Sequence, residues 1–452
     1  MSRALPLLLA LLTLAPACAP APPGPPRAVF LLVVDTLRAD HLGCYGGRFP
    51  TPHVDGLAGR GVRFEQAQAV AGWTVPSMGA LFTSRWPREL DLLERPAKRA
   101  LDPFDLREQG PLRLRGDVPH LAARLRDAGY RTAGFVDQPM LRPDTGFARG
   151  FDDYFEVAGH GVVRRFVASG SAERAGWDHT PHAYDNDRAL VERFTAWLAD
   201  APADARLFAW LHLLTPHTPY RPPPEFAEGA PGPLTPAAYA GEVRAADALV
   251  GRALAAIDRH VGLEHALVVF TSDHGESLGD HGEVGHGQTL HAEVMRVPLL
   301  LAGAGVPEGR VVAAPARTLD IAPTLLERVG LEIPESFRGT PLLGPDAAPA
   351  TPVLAEGVLY GPSEQAWIED GYKLLLSAPG ASAKLFSLDT DPDERTDLAP
   401  DEPERVARLR ARLGEMRAAL HADPPPPGAG PSAEDREALR ALGYVDDAPD
   451  PR

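Results

Sequence analysis

Residues 28–35 read AVFLLVVD, an uninterrupted apolar run that ends in an aspartate. An interior strand of a parallel sheet has this composition, because helices cover both of its faces. Four further apolar runs share this character: 133–136, 207–214, 266–271 and 297–302. Stretches with helical periodicity lie between them: 118–129, 185–200 and 237–259. This alternation of strand and helix predicts an open α/β sheet.

Acidic and histidine residues directly follow two of these strands. Asp35 ends the first run, and Asp273-His274 come just after 266–271. Ligands of open α/β sheets bind beyond the carboxyl ends of the strands, so these side chains mark a candidate site. Imidazole together with carboxylate favours Zn²⁺ or Mn²⁺, whereas carboxylate oxygens alone suit Ca²⁺ or Mg²⁺. The sequence therefore predicts a divalent metal at this edge of the sheet.

The segment after Thr271 continues with more residues of the same types. Residues 271–291 read TSDHGESLGDHGEVGHGQTLH, in which glycines separate histidines and carboxylates. Glycine lets the backbone fold tightly around a small site. For His281 and His291, a solvated loop fits the pattern as well as a functional role does.

A second pair of histidines lies in LHLLTPHTPY, residues 211–220. His217 stands between two prolines, which hold its backbone stiffly and favour a fixed ligand or hydrogen-bond donor. His212 lies within the apolar run, and we interpret it as a buried core or wall residue.

The stretch GWTVPSMGALFTSR, residues 72–85, places a hydroxyl where a helix begins. Pro76 and Ser77 suit the first turn of a helix. A hydroxyl there faces unpaired N–H groups and the positive end of the helix dipole, which favour an alkoxide and a bound phosphate. Thr74 is therefore either a helix cap or a nucleophile activated by a metal.

The amino-acid composition of this 452-residue chain limits the classes of partner that it can bind. Acidic residues outnumber basic ones, 61 to 45, which gives a net charge of −16. This balance argues against a nucleic-acid partner, because nucleic acid binds to basic surfaces. Lysine occurs only at positions 98, 373 and 384, so positive charge in a site must come from arginine, histidine or a metal.

The chain ends predict export and a division into domains. Residues 1–18 combine Arg3, an apolar run and small residues, as in a secretory signal peptide. We therefore expect an exported protein, periplasmic or at the cell surface. The run ending at Cys18 also resembles a bacterial lipobox, which leaves two alternatives: lipidation of Cys18 after cleavage, or cleavage nearby without lipidation. A lipid anchor at Cys18 would be the only membrane contact. We predict a tether at 19–26, a catalytic domain at 27–348, a C-terminal subdomain at 349–421, and a Pro-rich linker with a short helix at 422–452.

The motifs, taken together and in order, resemble those of the sulfatase family in the alkaline-phosphatase superfamily. The matching pieces cover most of residues 28–400: VVDTLRADHLGCYG (33–46), TPHVDGLAGRGVRF (51–64), LFTSRWP (81–87), TPHTPYRPP (215–223), TSDHGESLGDHGEVGHG (271–287), RVPLLLAG (296–303), LDIAPTLLERVG (319–330) and KLFSLDTDPDERTDL (384–398). The resemblance implies a large, mostly parallel sheet flanked by helices, a small C-terminal α+β subdomain, and metal-dependent hydrolysis or transfer of anionic esters.

The chain departs from the sulfatase pattern at the residues that handle sulfate. Sulfatases carry Cys or Ser followed by x-Pro-x-Arg, and that Cys or Ser is oxidised to formylglycine; here the positions read TVPSM, residues 74–78. Sulfatases usually have two adjacent acidic residues here; this chain keeps the first as Asp35 and has Thr36 in place of the second. The Lys-x-His element is missing where this chain reads FVDQ, residues 135–138, and the late lysine is replaced by His286.

The altered set is similar to the superfamily branch whose nucleophile is threonine, which includes phosphodiesterases and phosphoethanolamine transferases. The resemblance implies that Asp35, Thr74, Asp273 and His274 hold one metal and that Thr74 attacks phosphorus. His217 and His286 would bind the ester's oxygens or help to hold a second ion. Arg38, Arg85 and Arg317 are candidates for reaching the anion, and Arg38 is the one we predict to bind substrate.

Three functions stay open at this point. The first is metal-dependent cleavage of phosphate or phosphonate esters through Thr74. The second is sulfate-ester hydrolysis of the arylsulfatase type without formylglycine. The third is a catalytically silent anion-binding protein on the same fold.

Overall fold

The computed structural model describes residues 25–93, 113–158, 162–167, 172–175, 183–232, 234–344, 352–359, 363–377 and 382–420. The predicted signal peptide, the possible anchor at Cys18, nearly all of the tether and the segment 422–452 lie outside these residues. The predicted boundary at 348/349 also falls outside them, so the division into domains stays a prediction.

The described chain alternates strands and helices, as expected for an α/β fold. The strands are β1 (Ala28–Val34), β2 (Gly61–Gln68), β3 (Arg131–Val136), β4 (Asp153–Ala158), β5 (Val162–Val167), β6 (Ala172–Ala175), β7 (Leu207–Leu213), β8 (Ala266–Thr271), β9 (Ser277–Leu278), β10 (Val284–Gly285), β11 (Leu299–Gly303), β12 (Arg310–Arg317), β13 (Val353–Glu356), β14 (Glu364–Glu369), β15 (Tyr372–Ser377) and β16 (Ala383–Ser387). The α-helices are α1 (Pro52–Gly59), α2 (Thr74–Thr83), α3 (Leu121–Asp127), α4 (Ala183–Ala199), α5 (Pro236–His260), α6 (Ala292–Met295), α7 (Ile321–Arg328) and α8 (Pro403–Ala419).

The main sheet has the strand order β12-β2-β11-β8-β1-β7-β3-β4-β5-β6 within the described residues. Strands β8, β1, β7, β3 and β4 run parallel. Strand β11 is antiparallel to both of its neighbours, β8 and β2. The large, mostly parallel sheet is therefore confirmed, and the carboxyl ends of its central strands meet at one edge.

Burial on both faces explains why β1 reads as a continuous apolar run. Val29, Leu31 and Val33 pack in one hydrophobic cluster with α2, α3 and α7. The alternate residues, such as Phe30 and Leu32, pack in a second cluster with α4 and α5. Because successive side chains of a strand point to opposite faces, the same seven residues contribute to both layers.

The smaller antiparallel sheet has the order β13-β14-β15-β16. Helix α8 packs on it through Leu409 and Leu413, next to Trp367. Ala80 of α2 and Trp86 belong to the same cluster, so this sheet shares its core with the main body. The expected small C-terminal α+β unit is confirmed. Among the described helices, none is long and apolar enough to cross a membrane.

Candidate active site

Three adjacent strands bring the predicted metal ligands to one edge of the main sheet. Asp35 follows β1, and Asp273 and His274 follow β8. Strand β7 pairs with the other side of β1 and places His212 opposite Val33. All four side chains are fully buried. Parallel neighbours with matched register therefore bring together residues that lie more than 200 positions apart.

Thr74 is the first residue of α2 and points toward this group. Its Oγ1 lies 3.3 Å from Nε2 of His274, and Gln138 Nε2 lies 3.5 Å from the same oxygen. The N-cap position is Trp73, not Thr74. Ser77, one turn later, donates from Oγ to the backbone oxygen of Asp273 at 2.6 Å, which ties α2 to the end of β8. The Thr74 hydroxyl thus faces the metal-ligand candidates.

The residues present fit a divalent cation. Ligand atoms of Asp35, His212 and Asp273 all lie within 4.8 Å of one another. Oδ1 of Asp35 and Oδ2 of Asp273 are buried without a hydrogen-bond partner among the described residues. A buried carboxylate oxygen without a partner is costly, and a bound cation removes that cost. His274 Nε2 lies 3.4 Å from Asp273 Oδ2 and 3.8 Å from Asp35 Oδ1, which places it beside the same space.

The electrostatic surroundings keep Asp35 ionised. Burial alone would raise the pKa of this carboxyl group, but the hydrogen bond from His212 and the nearby His217 and His274 outweigh it. The pKa of Asp35 is therefore held well below its usual range. Gln138 adds a hydrogen bond from Nε2 to Asp35 Oδ2 at 2.9 Å. An ionised carboxylate is the form that binds a metal.

His217 and His286 lie next to each other beside His274. The ring centroids of His217 and His286 are 4.9 Å apart, and those of His274 and His286 are 4.6 Å apart. Burial lowers the pKa of His286 to about 3, so its ring is neutral near pH 7. Nδ1 of His286 lies 3.2 Å from Oε1 of Glu276. Burial also raises the pKa of Glu276, to about 8.

Hydrogen bonds to a helix aspartate hold the loop that carries His217 in place. Asp187 of α4 accepts from the backbone N–H of Leu214 at 2.9 Å and of Thr215 at 2.8 Å. The peptide bonds before Pro216 and Pro219 are both cis. Nδ1 of His217 lies 2.6 Å from the backbone oxygen of Thr218. The stiff backbone expected from the two prolines is thus reinforced by hydrogen bonds.

Among the described residues, Arg38 and Arg317 pair with carboxylates. The Arg38 guanidinium donates to Asp40 at 2.7 Å and to Asp280 at 2.6 Å, and also to the Glu276 backbone oxygen at 3.2 Å. The Arg317 guanidinium donates two hydrogen bonds to the Asp320 carboxylate, at 2.7 and 3.0 Å. Contact of Arg38 with a substrate stays a prediction.

Comparison with known proteins identifies the family. The sequence profile named Sulfatase matches residues 27–331. The chain belongs to the sulfatase family. It is 31% identical over 432 residues to steryl-sulfatase of Mus musculus, covering 74% of this chain and 68% of the mouse protein. Arylsulfatase K of Xenopus laevis matches at 31% over 37% of this chain and 34% of that protein.

Solved structures confirm the sulfatase fold. One is a protein in complex with its substrate D-glucosamine-2-N,6-O-disulfate, with a TM-score of 0.72, 17% identity, and coverage of 87% of this chain and 98% of that one. Another is a phosphonate monoester hydrolase from Silicibacter pomeroyi, with a TM-score of 0.66, 23% identity, and coverage of 87% and 95%. The fold is therefore shared with a protein whose substrate is a disulfated glucosamine and with a phosphonate monoester hydrolase. Enzymes of the sulfatase family are metal-dependent, and this chain contains an Asp-His-Asp group that suits a metal.

Sequence reasoning missed three residues of this sulfatase-family site: His212, Gln138 and Glu276. His212 is buried, as expected for a core residue, but it also belongs to the group of metal-ligand candidates. Its signal was its place near the carboxyl end of an apolar run, which in a parallel sheet is the same edge as Asp35. Gln138 follows β3 and could have been found the same way. Glu276 lacked any signal beyond its place in the histidine-rich segment.

Proposed function

We propose that this sulfatase-family protein cleaves phosphate or phosphonate esters, by hydrolysis or by transfer, with Thr74 as the nucleophile. One observation carries the proposal: Thr74 begins a buried helix, and its hydroxyl lies 3.3 Å from His274, next to Asp35 and Asp273, each of which has a buried carboxylate oxygen without a hydrogen-bond partner among the described residues. The N-terminus of a ten-residue helix favours the negative charge of an alkoxide and of a phosphoryl group.

Asp35, Asp273 and His274 would hold the divalent metal, with His212 as a further ligand. A bound metal would lower the pKa of the Thr74 hydroxyl and offset charge on the ester's non-bridging oxygens. The presence of imidazole among the ligands favours Zn²⁺ or Mn²⁺ over Mg²⁺ or Ca²⁺, which prefer oxygen ligands throughout.

The reaction would proceed in two displacements. Thr74 Oγ1 loses its proton and forms an O–P bond, while the bond from phosphorus to the leaving alcohol breaks and that alcohol departs with a proton. Water, or a second alcohol in a transferase, then attacks the phosphothreonine and releases Thr74 with its proton. His217 and His286 lie beside His274 and would donate to the ester's oxygens, for which the neutral His286 ring has one N–H.

The proposal is tested by turnover with an aryl phosphate monoester, a diester, a phosphonate ester and an aryl sulfate, each with added Mn²⁺ or Zn²⁺. Thr74→Ala should abolish cleavage of the phosphorus esters, and a phosphothreonine should be trapped at Thr74 by mass spectrometry. Thr83→Ala is the matched control, because Thr83 is a buried threonine of the same helix whose hydroxyl bonds to Gly79. Phosphorus-ester cleavage that survives Thr74→Ala would reject Thr74 as the nucleophile.

Sulfate-ester hydrolysis is the second candidate, favoured by the 31% identity to steryl-sulfatase. Turnover of the aryl sulfate alone would support it over phosphorus chemistry. Binding of metal without turnover of any ester in the panel would support a silent anion-binding protein instead.

A further inference from the structure

The histidine-rich loop is held at its far end by the C-terminal sheet. Glu364 of β14 accepts from the backbone N–H of Leu290 at 2.8 Å, and Lys373 of β15 donates to the Leu290 oxygen at 2.6 Å. Lys373 also donates to Oε1 of Glu394 at 2.6 Å, and the other oxygen of Glu394 lies 2.7 Å from Nδ1 of His291. The small sheet thus contacts the same loop that begins with Asp273 and His274.

His281 closes this contact from the other side. Its Nδ1 lies 3.0 Å from Oε1 of Glu293, and its Nε2 lies 3.1 Å from the backbone oxygen of Glu394. Its ring stacks on that of His291 with centroids 3.8 Å apart and planes 7° from parallel. Carboxylate and carbonyl oxygens can only accept here, so both hydrogen bonds form together only when both ring nitrogens of His281 carry protons.

The backbone supports a defined role for these two residues. His281 has φ 48° and Glu394 has φ 57°, so both lie in the left-handed region. Non-glycine residues adopt this region only where surrounding contacts over-determine it. Here the two strained residues are joined directly by the hydrogen bond from the His281 ring to the Glu394 oxygen.

We propose that Glu394 and His281 form a proton-dependent clasp that positions the loop 273–291, and with it the metal ligands Asp273 and His274. The clasp consists of His281, His291, Glu293, Lys373 and Glu394. Glu394 and His281 are positioning residues, since neither touches the reacting atoms. The inference rests on the metal site of the proposed function but not on which ester is cleaved.

The charges around His281 favour its protonated form. Burial alone would lower the pKa of His281, but the Glu293 carboxylate and the Glu394 carbonyl outweigh it and raise the pKa. An open cleft of about 510 Å³ beside His281 connects it to solvent protons. Six further charged residues line that cleft: Arg38, Asp40, Asp280, Arg296, Asp393 and Arg395. Because the pKa of His281 is raised, the closed clasp is favoured at low pH and is lost as the pH rises through that pKa.

The clasp is tested by measuring Mn²⁺ affinity and the melting temperature of the full chain between pH 6 and pH 9. His281→Gln keeps one donor but cannot carry a charge. We expect wild type to bind Mn²⁺ about fivefold more tightly than His281→Gln at pH 6, and with nearly equal affinity at pH 9. Protonation of the metal ligands affects both proteins equally and cancels in this ratio.

The matched control is His265→Gln, because the His265 side chain is exposed and its Nε2 lies 3.6 Å from Oε1 of its sequence neighbour Glu264. This variant should follow wild type at every pH. A difference between wild type and His281→Gln that does not change with pH, or no difference at all, would overturn the proton-dependent clasp.

Glu394 is tested separately with the double variant Glu394→Gln, Lys373→Met, which removes both charges of a buried pair instead of leaving one unpaired. We expect Mn²⁺ affinity about tenfold below wild type across the whole pH range. Wild-type affinity in the double variant would reject Glu394 as a positioning residue. Neither measurement uses an ester, so failure of the phosphorus-ester activity and failure of the clasp give different results.

Discussion

Two histidine-containing clusters of this chain differ in whether their polar atoms have hydrogen-bond partners. At the ends of the central strands, Asp35 and Asp273 each have a buried carboxylate oxygen without a hydrogen-bond partner among the described residues. In the clasp, both oxygens of Glu394 and both ring nitrogens of His281 meet protein partners. In the first cluster the proposed cation would satisfy these oxygens, whereas in the second the protein itself supplies the hydrogen-bond partners. Similar residue types therefore occur with and without a full set of protein partners.

The largest effect on activity is expected from a substitution in the cluster at the strand ends, which contains Asp35 and Asp273. Asp273→Asn removes a ligand charge and should lower turnover by roughly 1,000-fold while the protein stays folded. Metal content measured by mass spectrometry should fall in parallel. Asp40→Asn, at a half-exposed carboxylate beside Arg38, is the control and should keep its metal. Full metal content in Asp273→Asn would contradict the assignment.

The next largest effect is expected on the stability of the protein, from a substitution of Glu394 in the clasp. Burial would raise the pKa of Glu394, but Lys373 and His291 outweigh it and lower the pKa below its ordinary value of 4.5. Its stabilising contribution is therefore present above pH 4.5 and is lost as the pH falls below that value. Glu394→Gln should lower the free energy of unfolding by about 3–5 kcal/mol near pH 7, because it leaves Lys373 unpaired.

Chemical denaturation at pH 7 and at pH 4 measures this difference. The gap between wild type and Glu394→Gln should shrink at the lower pH. The control is Glu415→Gln, at an exposed residue of α8, which should change the free energy of unfolding by no more than about 0.5 kcal/mol at either pH. A gap that widens in acid would mean that the Glu394 charge does not stabilise the fold.

A smaller effect is expected from His212, which distinguishes a metal ligand from a wall residue. His212→Gln should weaken metal binding by about 10- to 100-fold with little change in melting temperature without metal. His120→Gln is the control, because His120 is equally buried but caps α3. A large loss of stability with unchanged metal affinity would return His212 to the role of a core residue.

The smallest effect should come from Gln138, which acts on the site through Asp35. Gln138→Ala removes the 2.9 Å hydrogen bond to Oδ2 of Asp35 and should lower kcat by about tenfold. Substitution of Gln288, which is more exposed and bonds to Val284, provides the comparison. Steady-state kinetics with the best ester of the panel measures both, and an unchanged kcat in Gln138→Ala would remove Gln138 from the site.

The sequence was most informative where a single local pattern decided the structure. The run 28–34 predicted a strand buried on both faces, and β1 occupies those residues. Asp35 and Asp273 could be placed at one edge because parallel strands share their direction. His212 and Gln138 carried the same kind of signal, but only the strand order, which long-range pairing sets, shows that they lie beside Asp35. The clasp was still less accessible, because His281, Lys373 and Glu394 belong to segments that only the folded chain brings into contact.

Because Lys373 is buried, the rate of its chemical labelling can measure how often this part of the molecule opens. It is one of three lysines in the sequence, and only about 1% of its surface is exposed. An amine-selective reagent can modify it only when the small sheet moves away from Leu290 and Glu394 and exposes the ammonium group. The rate of labelling at this position, measured by peptide mass spectrometry relative to the exposed Lys384, would therefore report how often the loop 273–291 loses its contact with the small sheet.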